Sequence, residues 1–358
     1  IALGAAAGGL DLYFAYPMTP SSAILHYLAA HSEELGVTAV HPENEIAVIN
    51  MAIGAVFAGA RAMVGSSGGG FALMEEAFSL AGALEAPLLC YMGSRPGPST
   101  GVPTYTSQGD LDFAIHQGHG EFPRIVASPS TIEEAFYLAA EMLDLLWRFQ
   151  TPGILLTEKH LAESRMTVDI DAKKAKWPEP VMHTGGEYKR YSDTGDGVSP
   201  LLFPPSKELV KWDSYEHDEL GITTEDPNMI AKMQEKRQKK GRAIVEHMKG
   251  MRTVNVYGDK GPVIFTYGST TLSVLEALRA GEIEATVVQP VYLEPLPVWK
   301  LEKHKGEYPI VVEQSCIGQF ACLLREKAGI EPKVLIKKYD GRPFDPVELA
   351  DKIKEARK

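Results

Sequence analysis

The stretch VTAVHPENEIAVINMAIGAVFAGARAMVGSSGGGF, residues 37–71, decides the fold. Val37–His41 and Ala62–Ser66 are short segments rich in apolar or β-branched residues, and each is typical of a buried strand. Glu43–Ala60 lies between them and has the apolar spacing of a buried helix. Strands that are apolar throughout and separated by helices form a parallel sheet covered on both faces. The stretch therefore predicts a doubly wound α/β fold.

The same alternation extends in both directions over residues 1–165, which we predict to be one domain. Its predicted strands are Leu12–Tyr16, Val37–His41, Ala62–Ser66, Pro87–Met92, Arg124–Ala127 and Gly153–Thr157. Its predicted helices are Ser21–Glu34, Glu43–Ala60, Phe71–Leu84 and Thr131–Trp147. A second, smaller α/β domain is predicted for residues 256–358. Its predicted strands are Pro262–Tyr267, Ala285–Gln289, Pro309–Glu313 and Lys333–Lys337, and its predicted helices are Ser269–Arg279, Ile317–Ala328 and Pro346–Arg357.

Between the two domains, residues 166–255 form a predicted polar linker that is rich in Lys, Glu, Pro and Gly. Asn228–Met248 is a predicted charged helix within this linker. The helix carries a basic cluster made of Lys232, Lys236, Arg237, Lys239, Lys240 and Arg242. Such a cluster could bind a partner, but with Glu235 close by, a solvent-exposed helix face is the favoured interpretation.

The composition argues against several classes of function. The 358 residues include 36 Lys+Arg and 47 Asp+Glu, so the net charge is −11. An acidic chain is poorly suited to binding nucleic acid phosphates. The hydrophobic content of 44% is enough for ordinary buried cores. The longest strongly apolar stretch, Ile46–Ala60, is shorter than the ~20 residues that a membrane span needs. We therefore expect neither a nucleic acid nor a membrane as a partner.

The three cysteines, Cys90, Cys316 and Cys322, contain no C-x-x-C pair. They cannot by themselves bind an iron–sulfur cluster or build a zinc site, and they indicate a reducing, cytoplasmic compartment. Cys316 and Cys322 lie in a predicted amphipathic helix, where we expect them to be buried in the core. The chain begins at Ile1 within a helical pattern, which suggests that it is slightly trimmed.

Candidate binding residues follow the predicted strands, because loops at the carboxyl ends of parallel strands form the ligand crevice. The first motif is YPMTPSS, Tyr16–Ser22. Thr19 and Pro20 fit the N-cap and the first position of the following helix. A helix end can also bind a carboxylate. The motif is thus either part of a binding site or only a well-capped helix.

The second motif is HPENE, His41–Glu45, at the start of the most apolar predicted helix. Glu43 is well explained as a partner of the helix dipole. Glu45 lies beside the apolar run Ile46–Ile49, so its carboxylate is drawn into an apolar environment and needs a partner there. A structural and a functional interpretation of Glu45 are equally good at this point.

Two further loops complete the set of candidates. Gly65–Gly70, with the sequence GSSGGG, permits either close approach of the backbone to a ligand or merely a tight turn. It matches neither the dinucleotide-binding pattern nor the P-loop. Ser94–Gly101 carries Arg95, whose guanidinium could bind a carboxylate in bidentate fashion or be an ordinary surface arginine.

Taken together, the motifs YPMTPSS, ENE, SSGGG and RPGPSTG resemble the alpha subunit of 2-oxoacid:ferredoxin oxidoreductases. They occur in the family's order and at compatible spacing, and the resemblance extends over essentially the whole chain. It implies that residues 1–165 are the pyrimidine-binding domain for thiamine diphosphate. It also implies that residues 256–358 are similar to the transketolase C-terminal domain.

The resemblance assigns roles to individual residues. It implies that Glu45 is the catalytic residue that hydrogen-bonds the aminopyrimidine of the cofactor, with Glu43 as the weaker choice. Thr19 matches a threonine near the substrate, and Arg95 matches the arginine that pairs with the substrate carboxylate. The implied cofactor-binding residues are Tyr16, Pro17, Glu45, Ser67 and Gly68.

The chain lacks motifs that the complete reaction requires. Gly195-Asp196-Gly197 is interpreted as a turn rather than a diphosphate and Mg²⁺ motif. His116 and His119 have no third ligand, so no metal site is predicted in this chain. The resemblance therefore implies a beta subunit that supplies the diphosphate-binding half, Mg²⁺ and a [4Fe–4S] cluster. It leaves open whether gamma or delta subunits take part and whether a gamma-type domain precedes the chain.

The implied reaction is the oxidative decarboxylation of a 2-oxoacid to an acyl-CoA and CO₂, with coenzyme A as co-substrate and ferredoxin as electron acceptor. The sequence leaves the 2-oxoacid open among 2-oxoglutarate, pyruvate and branched-chain acids. One alternative is a non-catalytic binding subunit of such a complex. A self-sufficient transketolase-like enzyme is less favoured, because it would need the missing metal motif.

Overall fold

Two β-sheets with helices on their faces organise the computed structural model, which describes residues 1–306 and 308–356. The strands of the first sheet are β1 Leu12–Ala15, β2 Thr38–Val40, β3 Ala62–Ser66, β4 Leu89–Ser94, β5 Ile125–Ala127, β6 Gly153–Glu158 and β10 Tyr292–Glu294. Their order is β10-β5-β6-β4-β3-β1-β2, and all neighbours are parallel except β10, which pairs antiparallel with β5.

Alternate residues of the first sheet face opposite layers of helices. These helices are α1 Ala2–Ala7, α2 Ser22–Ala30, α3 Ser32–Leu35, α4 Glu45–Phe57, α5 Gly68–Leu73, α6 Glu75–Ala83, α7 Leu111–Ile115, α8 Ile132–Phe149 and α9 Lys159–Ala162. Phe14 of β1 belongs to a core that includes Val48 of α4. Its neighbour Tyr13 belongs to a second core with Leu25 of α2 and Leu138 of α8. The predicted doubly wound fold is therefore confirmed.

A smaller sheet forms the C-terminal part of the chain. Its strands are β7 Val254–Tyr257, β8 Val263–Phe265, β9 Thr286–Pro290, β11 Ile310–Glu313 and β12 Val334–Lys337. Its helices are α11 Thr270–Ala280, α12 Val298–Leu301, α13 Gln319–Ala328 and α14 Pro346–Ala356. The strand order is β12-β11-β8-β9-β7, with β7 antiparallel to β9. Arg357, the predicted end of α14, lies outside the described residues.

The strands β7 and β10 complicate the predicted domain boundaries. β7 spans the predicted boundary between residues 255 and 256 and joins the smaller sheet. β10 lies within the predicted second domain but completes the edge of the first sheet. The two sheets are thus joined by more than a linker, and the three-part division of the chain stays a prediction.

Two of the predicted helices are interrupted. The helix predicted over Ser21–Glu34 forms as α2 and α3, which are separated at His31. The helix predicted over Phe71–Leu84 forms as α5 and α6, which are separated at Met74. In both cases the apolar spacing continues across the break, so the pattern alone does not reveal it.

The helix of the linker is α10, Pro227–Lys249, and the prediction that its basic cluster is solvent-exposed is wrong for half of the cluster. Lys236, Arg237 and Lys240 are buried. Lys236 Nζ lies 2.7 Å from Glu85 Oε1, and Lys240 also pairs with this carboxylate. Burial of the three side chains is possible because acids from other segments pair with them: Glu85 pairs with both lysines, and Glu216 pairs with Arg237.

The cysteine prediction also requires correction. Cys316 precedes α13 rather than lying on it, and Cys316 and Cys322 are both exposed. Cys322 faces outward because the buried side of α13 is occupied by Phe320, Leu323 and Leu324.

Among the described residues, no helix is both long and apolar enough to cross a bilayer.

Candidate active site

The candidate site lies at the edge of the first sheet formed by the carboxyl ends of β1 and β3, where the connections to the next strands run in opposite directions. β1 is placed between β2 and β3, so the loops after β1 and β3 diverge and leave a crevice at their carboxyl ends. The loop after the neighbouring β4 closes one side. A cavity of about 450 Å³ lies there, lined by Met18, Ser67, Gly68, Gly69, Ala72, Arg95, Gly97, Pro98, Ser99, Thr100 and Asp110.

Glu45 is the buried carboxyl of the site. It is the first residue of α4, and the preceding Asn44 caps the helix by accepting a hydrogen bond from Ala47 N (2.9 Å). Glu45 is only 3% exposed, and its Oε1 has no hydrogen-bond partner among the described residues. Glu43 is exposed. Of the two acids that the sequence offered, Glu45 is therefore the one with an unmet need for a partner.

The glycine loop approaches Glu45 closely. A Cβ atom on Gly70 would lie 2.3 Å from Glu45 Oε1 and 2.2 Å from Ser66 Oγ, so any other residue at this position would displace these side chains. Ser67, at the start of α5, is fully buried and its Oγ has no hydrogen-bond partner in the described chain. Glu45 Oε1 and Ser67 Oγ are thus two unsatisfied polar atoms at this loop, which packs tightly against the Glu45 carboxylate.

Arg95 is the cation that lines the cavity. Its Nη1 donates a 2.7 Å hydrogen bond to the carbonyl oxygen of Thr19, which fixes the direction of the guanidinium. Partial burial lowers the pKa of Arg95, while nearby Asp110 raises it. The guanidinium remains a cation, and its fork of N–H donors suits a carboxylate.

The prediction that Thr19 is a helix N-cap is wrong. α2 begins at Ser22, and Ser21 precedes it. Ser21 turns the chain by donating from both its backbone N (2.8 Å) and its Oγ (2.7 Å) to the carbonyl oxygen of Met18. Thr19 therefore reaches the site through its carbonyl oxygen, which orients Arg95, and not as the cap of a helix.

Asp110 is a site residue that the sequence analysis missed. It lines the cavity, and its Oδ2 accepts a 2.7 Å hydrogen bond from Ser94 Oγ. Burial raises the pKa of Asp110, and the hydrogen bonds from Ser94 and Arg95 oppose that rise. Asp110 ends a long loop after β4, and no local pattern marks it, because only the folded loop returns it to Arg95.

The structure brings together most of the predicted site residues, but not all. Ser67, Gly68 and Arg95 line the cavity, Thr19 joins it through Arg95, and Glu45 lies behind the glycine loop. Three predicted cofactor-binding residues lie outside this lining: Glu45, which is buried, and Tyr16 and Pro17, which are exposed.

The predicted turn at Gly195–Gly197 is confirmed. Asp196 Oδ1 accepts hydrogen bonds from Thr194 Oγ1 and Val198 N, both 3.0 Å long. The carboxylate is therefore occupied by its own loop. Over residues 1–306 and 308–356, no group of three or more His, Cys, Asp or Glu side chains is arranged to hold a metal ion.

The family model of pyruvate flavodoxin/ferredoxin oxidoreductases, thiamine diphosphate-binding, matches residues 3–236. The chain belongs to this family. It is 38% identical to 2-oxoacid:ferredoxin oxidoreductase 2, subunit alpha, of Aeropyrum pernix, over 99% of this chain and 59% of that protein. It is 36% identical to the 2-oxoacid:ferredoxin oxidoreductase subunit alpha of Saccharolobus solfataricus, with the same two coverages.

Two solved structures are similar to this chain. The 2-oxoglutarate:ferredoxin oxidoreductase of Magnetococcus marinus, with 2-oxoglutarate, coenzyme A and succinyl-CoA bound, superposes with a TM-score of 0.93 and 32% identity. The match covers 100% of this chain and 64% of that chain. A split gene transketolase shares the fold alone, with a TM-score of 0.53 and 14% identity. The chain spans about 59% of the length of these two curated relatives.

Proposed function

We propose that the chain is the alpha subunit of a 2-oxoacid:ferredoxin oxidoreductase. The complex would convert a 2-oxoacid and coenzyme A to an acyl-CoA and CO₂ and pass the electrons to ferredoxin. The single observation that carries the proposal is the buried, unpartnered Oε1 of Glu45 behind a glycine loop. The cavity that contains Arg95 adjoins this loop.

The residues present fit thiamine diphosphate. Glu45 offers a carboxyl that can exchange a proton with a ring nitrogen, and the cavity adjoins the glycine loop that packs against this carboxyl. Ser67 and Gly68 would line the cofactor, and Tyr16 and Pro17 are proposed as further contacts. When bound, thiamine diphosphate supplies the electron-accepting chemistry that decarboxylation of a 2-oxoacid needs.

Arg95 is proposed to bind the carboxylate of the 2-oxoacid. Its Nη1 is already directed by Thr19 O, so less side-chain freedom is lost when a substrate binds. A guanidinium matches a carboxylate in bidentate geometry. The chain's own contribution to catalysis is therefore to orient the substrate at Arg95 and to hold a proton at Glu45.

A partner is proposed to cover the α4–α5 face, which we define as Ile46, Met51 and Leu73. These side chains are 52%, 46% and 54% exposed, although they lie on helices next to the site. Exposed apolar side chains around an incomplete site are typical of an interface. We propose that the partner is a beta subunit that carries Mg²⁺ and a [4Fe–4S] cluster, with gamma or delta subunits as further components.

The location that we propose is the cytoplasm, since the three cysteines are free and suit a reducing compartment.

The function is tested by 2-oxoacid-dependent reduction of viologen. We expect activity from the chain assembled with its partner subunits and none from the isolated chain, because the diphosphate and cluster motifs are not in its sequence. Robust turnover by the isolated chain would contradict the proposal. A panel of 2-oxoglutarate, pyruvate and branched-chain 2-oxoacids then identifies the substrate.

The role of Glu45 is tested with Glu45→Gln in the assembled complex, and Glu43→Gln is the matched control. Removing the proton-exchanging carboxyl is expected to lower kcat about 100-fold or more. Glu43 is exposed, and its variant should keep the wild-type rate. A purely structural subunit would instead leave turnover of Glu45→Gln close to wild type.

A further inference from the structure

The loop that carries Arg95 needs support to hold a substrate. We call residues 95–110 the substrate loop, which joins β4 to α7 without regular secondary structure. Its outer part is exposed, and a loop of this length has many conformations unless it is tied down. Thr19 O holds the guanidinium of Arg95 at one end of the loop. The other end is held by Gln108.

Gln108 is 1% exposed, and its carboxamide is fully satisfied. Nε2 donates to Glu158 Oε1 (2.5 Å) and Tyr267 O (2.9 Å). Oε1 accepts from Thr270 Oγ1 (3.0 Å) and Gln314 N (2.8 Å). An amide has two N–H donors and two acceptor lone pairs, so these four bonds saturate it.

The backbone of Gln108 is held by the same partners. Its N donates to Gln314 O (2.8 Å), and its carbonyl oxygen accepts from Tyr267 Oη (3.4 Å). Tyr267, Thr270 and Gln314 all belong to the C-terminal part of the chain, after β8 and β11. The smaller sheet therefore determines where this end of the substrate loop lies.

Neighbouring contacts extend the anchor. Gln319 Nε2 donates to Gly109 O (2.8 Å), and Gln319 Oε1 accepts from Asp112 N (3.0 Å). Thr106 N donates to Gly341 O (2.9 Å). The whole inner end of the loop is thus seated on the C-terminal part.

Gln108 lies close in sequence to the base of the loop that carries Arg95, the proposed substrate-binding cation. Two residues after Gln108, Asp110 accepts the hydrogen bond from Ser94 Oγ and thereby closes the base of the loop beside Arg95. We infer that Gln108 is a positioning residue through which the C-terminal part of the chain places Arg95 for the substrate carboxylate. The inference rests on the proposed function, because it takes Arg95 as the substrate-binding group.

The test compares Gln108→Met with Gln289→Met in the assembled complex. Methionine keeps the length of glutamine and removes the hydrogen bonds of its carboxamide, while the backbone hydrogen bonds can remain. Gln289 is also buried, and it joins β9 to α8 through Glu134 (3.1 Å) and to β7 through Asn255 (2.9 Å), away from the substrate loop. Both variants therefore lose buried hydrogen bonds between the same two parts of the chain.

Gln108→Met is expected to raise the KM for the 2-oxoacid about tenfold or more, because a misplaced guanidinium binds the carboxylate poorly. The KM for coenzyme A should not change. Gln289→Met should leave both KM values unchanged. An unchanged 2-oxoacid KM in Gln108→Met, or the same rise in both variants, would overturn the inference.

Two further measurements distinguish failure of this inference from failure of the variant to assemble and from failure of the proposed function. If Gln108→Met does not assemble, Gln319→Ala removes the hydrogen bonds with Gly109 O and Asp112 N at the inner end of the loop and should raise the same KM. An unchanged KM there also overturns the inference. Absence of 2-oxoacid turnover in the wild-type complex would instead contradict the proposed function itself.

Discussion

Glu313 couples the stability of the smaller sheet to pH. The side chain is fully buried at the end of β11 and accepts hydrogen bonds from the backbone N–H groups of Phe320 and Ala321, each 3.0 Å long. Burial raises the pKa of Glu313 to about 7, although these hydrogen bonds lower it. The folded chain therefore binds a proton more readily than the unfolded chain between the ordinary pKa of 4.5 and about 7.

The sign of this coupling gives a prediction for Glu313→Gln. Protonation of Glu313 contributes stability that is complete below pH 4.5 and lost as the pH rises through about 7. The wild-type advantage over Glu313→Gln should shrink by on the order of 3 kcal/mol between those limits. Denaturant unfolding of both proteins at pH 4.5 and pH 8 measures it. Parallel pH profiles for the two would contradict the assignment.

Individual candidate residues could be identified from the sequence where a charged residue adjoins an apolar segment. Glu45 is a charged residue at the start of an apolar run, and Arg95 follows a buried strand, so both could be identified as candidates. Asp110 and Gln108 could not, because their partners come from distant segments. The N-cap assignment of Thr19 failed because a turn closed by Ser21 delays the start of α2.

At the scale of elements, α10 is fixed to the first domain by one acid. Burial alone would raise the pKa of Glu85, but Lys236, Lys240 and Arg190 outweigh that effect and hold its pKa well below the usual range. Arg190 also donates from Nη2 to the carbonyl oxygens of Leu84 (3.0 Å) and Glu85 (2.9 Å). The linker therefore packs as part of the core.

Glu85→Gln should be strongly destabilising, because it leaves buried cations without their counter-charge. A loss of about 3–5 kcal/mol is expected for a broken buried pair. Glu276→Gln is the control, since Glu276 pairs with Arg279 at the surface and its loss should not measurably change the melting temperature. Thermal unfolding compares the two. Equal melting temperatures would contradict the proposed role of Glu85.

The order of most helices and strands could be predicted from apolar spacing. The burial of the linker helix could not. A run of lysines on a helix usually faces water, and nothing near α10 in the sequence indicates that Glu85 would meet Lys236 and Lys240. Likewise, the short strands β7 and β10 have no apolar run long enough to stand out. These features depend on contacts between distant segments, which periodicity does not encode.

At the scale of the whole molecule, we expect the partner subunits to bind at the α4–α5 face. Met51→Glu would place a charge in the proposed interface, where an unpaired carboxylate is costly. We expect the affinity for the partner subunits to fall about 100-fold or more. Val347→Glu is the matched control, since Val347 is also an exposed apolar residue but lies on α14.

Size-exclusion chromatography and pull-down of the assembled complex measure both variants. The melting temperature of each isolated chain checks that the fold is intact. If Met51→Glu assembles as well as Val347→Glu, the partner does not cover the α4–α5 face.

The position of β10 has a consequence for how the chain is made. β5 leaves the ribosome early, but its antiparallel neighbour Tyr292–Glu294 follows only after α10, β7, α11 and β9 have been synthesised. Until then, one edge of the first sheet is open and can pair with another chain. Because such distant pairing is slow, we expect the first sheet to mature only after Tyr292–Glu294 has been synthesised.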